Sequence, residues 1–147
     1  MRAKVRRFLE DVTRTGLYRI EERDDPAEVV AGAEALGWTA FTVDGSDVPD
    51  KPAFLSRSAT AMRFPAYFGQ NWDAFEEIVN DPDAMPDAQG YLLVLDDFAV
   101  FARSQPGEWA TARSILADAA ERWLAEGRGF LVLLRKADRA ASDVEWV

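Results

Sequence analysis

Three carboxylates crowd into five residues of this chain: Asp73, Glu76 and Glu77. Asn71 stands just ahead of them as a helix N-cap, its side-chain oxygen placed to accept from an early helical N–H. The helix it opens runs from about Trp72 to Val79. Trp72, Phe75 and Val79 fall at i, i+3 and i+7 with Ile78 beside them, a stripe that should face a core. Asp73, Glu77 and Asn80 fall at i, i+4 and i+7 on another face, bordered by Glu76. Like charges at i,i+4 cost roughly 0.2–0.5 kcal/mol per pair in an isolated helix. Asp73, close to the helix start, recovers part of that from the macrodipole. Acids clustered at so mild a cost suit a surface built for a cationic partner. Tyr67 and Phe68 lie just before them and supply rings of the kind that anchor interfaces.

Other carboxylate chemistry fits less well. Acid–base or glycoside chemistry needs carboxylates facing each other across a cleft, whereas neighbours on one helix point outward and nothing supplies the opposite wall. Asp73, Glu77, Asp81 and Asp83 could hold a divalent cation through oxygen ligands, but no calcium-loop spacing is present. The chain has no cysteine and no histidine, so thiol catalysis, Cys/His zinc sites and Ser-His-Asp triads are excluded. The expectation is a protein that is not an enzyme and takes no cofactor or metal. A net charge of −9, from 26 acidic and 17 basic residues, disfavours nucleic acid and steers a basic partner inward. The basic N-terminus is followed by no signal-length apolar run, and no stretch reaches transmembrane length. A cytoplasmic protein without membrane contact is expected.

The chain's 147 residues suit one domain. Residues 1–16 suggest a short helix or a mobile arm, and Leu17–Ile20 a short strand. Asp25-Pro26-Ala27-Glu28 reads as a capping-box start to a helix that ends near Leu36, with Gly37 as its stop. Trp38–Val43 reads as a strand closed by the Asp44-Gly45 turn. Asp50–Arg63 is helical in pattern, with Phe54, Leu55, Ala59 and Met62 as core positions, and it stops at Phe64-Pro65. Tyr91–Leu95 and Phe130–Leu134 are continuous apolar runs, as in strands buried on both faces. Between them a helix from about Glu108 to Ala125 presents Trp109, Ala112, Ile115, Leu116, Ala119 and Trp123 on one side. Trp38, Trp72, Trp109 and Trp123 read as packing residues, and Asp96-Asp97 as a solvated strand end. Residues 136–147 read as a loose polar tail from which Trp146 could dock. The architecture expected is α/β: a small, largely parallel sheet flanked by helices. Residues 1–37 form an N-terminal strand–helix extension packed on or flanking a domain of residues 38–135.

The stretch Phe64-Pro65-Ala66-Tyr67-Phe68-Gly69-Gln70-Asn71-Trp72-Asp73-Ala74-Phe75 resembles the signature of the barstar family. That signature has an aromatic pair, glycine, any residue, asparagine, a bulky residue, then Asp-Ala. The order of elements agrees over about residues 38–135. The resemblance implies a barstar-like fold and an inhibitor of barnase-like, guanyl-specific ribonucleases. It implies a monomer that binds a basic secreted or toxin ribonuclease one to one. An acidic helix and its preceding loop would fill the active site, carboxylates standing in for RNA phosphates.

By position, the resemblance puts Tyr67, Gly69 and Asn71 on the loop and Asp73 at the first contacting aspartate. Glu77 stands where the family's dominant aspartate lies, and Glu76 where a tryptophan contact is often found; both are departures. A further family acid maps near Glu121 or Arg122. The expected inhibitory surface is therefore Tyr67, Phe68, Gly69, Asn71, Trp72, Asp73, Glu76, Glu77 and Asn80. An immunity protein against a delivered toxin domain, or a barstar-fold module serving another basic protein, would use the same surface chemistry.

Overall fold

The fold is described from a computed structural model covering residues 1–11 and 13–147. Four strands, β1 (Gly16–Arg19), β2 (Thr39–Asp44), β3 (Gly90–Asp96) and β4 (Gly129–Arg135), form one sheet in the order β1-β4-β3-β2. All three pairings are parallel. Among the described residues six α-helices cover it: α1 (Ala3–Glu10), α2 (Pro26–Ala35), α3 (Lys51–Met62), α4 (Trp72–Val79), α5 (Ala99–Ser104) and α6 (Pro106–Ala125).

The apolar runs that make β3 and β4 are buried on both sides, as parallel strands between helical layers must be. Their alternation sorts the core into two parts. Tyr91, Leu93, Leu95, Phe130, Val132 and Leu134 face α3, α4, α5 and α6. Leu92, Val94, Leu131 and Leu133 face α1 and α2 through Val5, Leu9, Val29 and Ala33. Trp38 seats its ring against the start of β3 and β4, where Gly90 and Gly129 leave room. A Cβ at either glycine would stand 2.8 Å from the indole.

The extension is part of the sheet, since β1 pairs with β4 from Gly16↔Leu131 to Arg19↔Leu134. Asp25 caps α2 as expected, accepting from Ala27 N–H at 3.0 Å. Glu28 turns to the α-amino group of Met1 at 2.9 Å rather than back to its own cap. Arg2 donates both Nε and Nη2 to Asp24, at 2.6 and 2.7 Å. Asp24 is only 4% exposed. These bonds from Arg2 hold its carboxyl below the usual aspartate range against the opposing effect of burial, helped by the Glu21 N–H.

Two stretches differ from the sequence reading. The tail is not loose. A 3-10 turn, Asp138–Ala141, leads into a docked segment, and Ala137, Ala141, Val144 and Val147 are buried. Those apolar residues are spaced through a polar string, so composition conceals them. Arg19 N–H donates to Glu145 O at 2.7 Å, and Val147 N–H to Arg19 O at 3.0 Å, which covers the free edge of β1. Trp146 does dock, with the Arg19 guanidinium 4.3 Å from its ring centre. The second difference is α5, a short helix between β3 and α6 that buries Ala99, Phe101 and Ala102. Among the described residues no helix is long and apolar enough to cross a membrane.

Candidate functional site

The sequence of α4 divides it into a buried and an exposed side. Asn71 caps it as expected, accepting from Ala74 N–H at 2.8 Å. Phe75, Ile78 and Val79 are buried. Phe75 sits among Phe54, Trp72 and Phe64, at ring separations of 5.7, 5.8 and 5.9 Å. Asp73, Glu76 and Glu77 are exposed on the other side, and Asn80 is half-buried beside them. Asn80 Nδ2 donates back to Glu76 O at 2.8 Å and so stiffens the last turn.

Helix α6 grips α4 at both ends. At the start, Trp72 Nε1 donates to Glu108 Oε2 at 2.6 Å. At the end, Trp123 Nε1 donates to Val79 O at 2.8 Å, and Arg122 Nη1 donates to Asn80 O. The last carbonyls of a helix lack intrahelical partners, and α6 supplies two of them here. The Arg122 guanidinium also suits the negative end of the α4 dipole. Arg122 is further paired with Glu126, at 3.6 Å.

Between the two helices runs a groove of ≈ 500 Å³ lined by Asp73, Glu76, Glu77, Asn80, Asp118 and Arg122. It therefore brings together four residues expected from the sequence. Asp118 was missed there; its spacing of four residues from Arg122 and then Glu126, beside the buried face of α6, is the signal that marks it. Of the two positions considered for a late-helix acid, Arg122 lines the groove, and it is a cation tied to Asn80 and Glu126.

The loop ahead of α4 projects Tyr67, which is 72% exposed. Phe68 N–H donates to Pro65 O at 3.0 Å, and the Phe68 ring rests on Phe64 at 5.0 Å, half-buried. Gly69 is exposed, and its carbonyl accepts from Asn71 Nδ2 at 3.3 Å. Gln70 adopts φ 51°, a left-handed conformation that turns the chain into the helix. Trp72 is half-buried against Phe54, with Lys51 Nζ 5.7 Å from its ring centre. Tyr67, Gly69 and Asn71 thus stand open to solvent, while Phe68 and Trp72 are partly turned into the protein.

The geometry bears on the other carboxylate chemistries. Among the described residues no group of three potential metal-ligating side chains converges. Asp81, one of the four acids considered for a cation, caps a local turn, accepting from Asp83 N–H at 2.8 Å. The site is an acidic ridge on α4 with an aromatic loop at its head.

A family model described as Barstar (barnase inhibitor) matches residues 38–135. The chain belongs to the barstar family. The match spans β2 to β4 and includes α4, α6 and the groove, and the α/β sheet is the barstar-like fold. Barstar proteins are inhibitors that bind ribonucleases, and this chain carries that domain. The elements α1, β1 and α2 and the tail lie outside the matched barstar region. No curated protein matches the chain by sequence.

Proposed function

We propose that this protein inhibits a basic, guanyl-specific ribonuclease by seating the acidic face of α4 and the Tyr67 loop in the enzyme's active site. The observation that carries this reading is the double attachment of α4 to α6, which holds exposed Asp73, Glu76 and Glu77 on a helix fixed at both ends. Pre-organisation lowers the entropy lost on binding. Asp73 and Glu77 stand in for RNA phosphates against arginine and lysine, and Tyr67 is the aromatic anchor. Glu77 reaches one methylene further than an aspartate and loses more rotamer entropy, yet it still forms a bidentate pair with arginine. The acidic surface speeds the approach of a basic enzyme. One inhibitor monomer serves one nuclease, in the cytoplasm.

A second reading is an immunity protein fitted to a delivered toxin nuclease. Arg122 favours it, since a cation in an acidic groove suits a target that presents an acid at that place.

The test is titration of the protein into a barnase-type ribonuclease while RNA cleavage is followed at two salt concentrations. Stoichiometric inhibition that weakens at high salt and in Asp73→Ala and Glu77→Ala supports the first reading. No inhibition by folded protein rejects that target and moves the proposal to a toxin-specific nuclease.

A further inference from the structure

The segments outside the barstar match converge on one surface of their own. Helix α1 and the tail meet across β1, and a groove of ≈ 390 Å³ between them is lined by Lys4, Arg7, Phe8, Asp11, Arg14, Trp146 and Val147, so that three cations face one side-chain carboxylate. In a chain of net charge −9, residues 1–14 hold five basic and two acidic side chains. Lys4 and Arg7 are exposed and meet no acidic partner among the described residues. Arg14 pairs with Asp11 at 3.3 Å and lies 5.4 Å from the Phe8 ring centre. Phe8 packs edge-on against Tyr18 at 4.7 Å. Trp146 lies against the Arg19 guanidinium, 4.3 Å from its ring centre, and still leaves 54% of its surface exposed.

We infer that this groove is a second docking surface, and that it takes an acidic peptide segment carrying an apolar or aromatic side chain from a partner protein. The cations of α1 would receive carboxylates, and Trp146 with Phe8 would receive the apolar group. The surface lies across the sheet from the acidic ridge, because α1 packs on the Leu92, Val94, Leu131 and Leu133 face and α4 on the other. Both can therefore be occupied at once. Sequence-independent nucleic-acid binding is a poorer fit, since it rests on neutralising phosphates and the chain carries a net charge of −9. A membrane is also a poorer fit, because Val5 and Leu9, the apolar side of α1, are already spent in the core.

The inference is independent of the proposed inhibition, and its test keeps the two apart. A fluorescein-labelled synthetic peptide of alternating Glu and Phe is titrated with the full chain at low and high salt. Expected is binding that weakens with salt, falls about tenfold in Lys4→Glu/Arg7→Glu, or roughly 1.4 kcal/mol, and falls in Trp146→Ala. A Gln/Phe peptide should not bind. The variants' circular dichroism should match the parent's, which shows that they fold. No binding of the acidic peptide, or binding unchanged in both variants, overturns the inference. Tighter binding of an equal-length oligouridylate, or of phosphatidylserine vesicles, overturns it in favour of a nucleic acid or a membrane.

Discussion

The indole N–H of Trp72 meets the carboxylate of Glu108 at 2.6 Å, joining the first turn of α4 to the first turn of α6. Both residues are partly buried, so the bond is shielded from full competition with water. Trp72→Phe keeps a ring against Phe54 and Phe75 but removes the donor. A hydrogen bond to a charged group contributes about 1.5–3 kcal/mol, and the lower end is expected here because Glu108 is half-buried. Urea unfolding should show that loss. The dissociation rate from a bound nuclease should rise as α4 loosens.

Arg122→Ala tests the other end of the helix. The change frees Asn80 O and removes the cation from the groove. Stability should fall by about 1 kcal/mol, the usual net worth of such a bond. The groove also becomes more acidic, so the salt dependence of nuclease binding should steepen. A lost bond without that steepening would mean that the guanidinium does not sense the bound enzyme. Binding rates across a salt series report it.

Acid should release the clamp between Arg2 and Asp24. The Asp24 pKa is lowered in the folded protein, chiefly by the Arg2 hydrogen bonds. Its stabilisation is therefore complete above the unfolded aspartate value of about 3.9. It is lost as pH falls through the lowered folded value. Stability measured by denaturant between neutral pH and pH 3 should fall more steeply in the parent than in Asp24→Asn. At neutral pH that variant should be the weaker by about 1.5 kcal/mol, the low end for a hydrogen bond to a charged group, because Arg2 is partly exposed and keeps Glu21 at 3.6 Å.

Gly129→Ala is expected to be among the more damaging single changes in the sheet. The new methyl would stand 2.8 Å from the Trp38 ring. Trp38 is 6% exposed and has little room to yield. Overpacking of this kind costs about 1–3 kcal/mol. Trp38→Leu in the same chain should restore part of the loss, and thermal unfolding of the pair checks both.

Much of this molecule is legible in its sequence, and the rest is hidden for identifiable reasons. Tyr91–Leu95 and Phe130–Leu134 announce central strands because a run apolar at every position has no solvent face. The caps Asp25 and Asn71 mark their helices through local bonds spanning two and three residues. The acidic ridge shows in the periodicity of Asp73, Glu77 and Asn80. Helix α5 does not show, since six residues give too few turns for a period. Nor do the attachments of α4, because Trp72 and Glu108 are 36 residues apart and Asn80 and Arg122 are 42 apart. Such pairings arise only from tertiary packing. The tail is hidden in another way, as Val144 and Val147 are isolated among polar residues and their burial depends on the edge of β1 being where it is.

The strand order carries a consequence for how the chain comes together. The first strand pairs with the last, and the hydroxyl of Thr15 bonds Phe130 O across 115 residues. Closing so long a loop costs entropy before any contact repays it, and parallel pairing at such separation is slow. On a growing chain, β1 therefore waits through the synthesis of every other strand. The helices α1 and α2 can associate early through Arg2 and Asp24, and α2 can settle on β2 and β3, but β1 and the Leu131 and Leu133 side of the core wait for β4. The residues of β1 are thus among the last to reach their places, and Lys4, Arg7 and Trp146 are neighbours only in a finished domain.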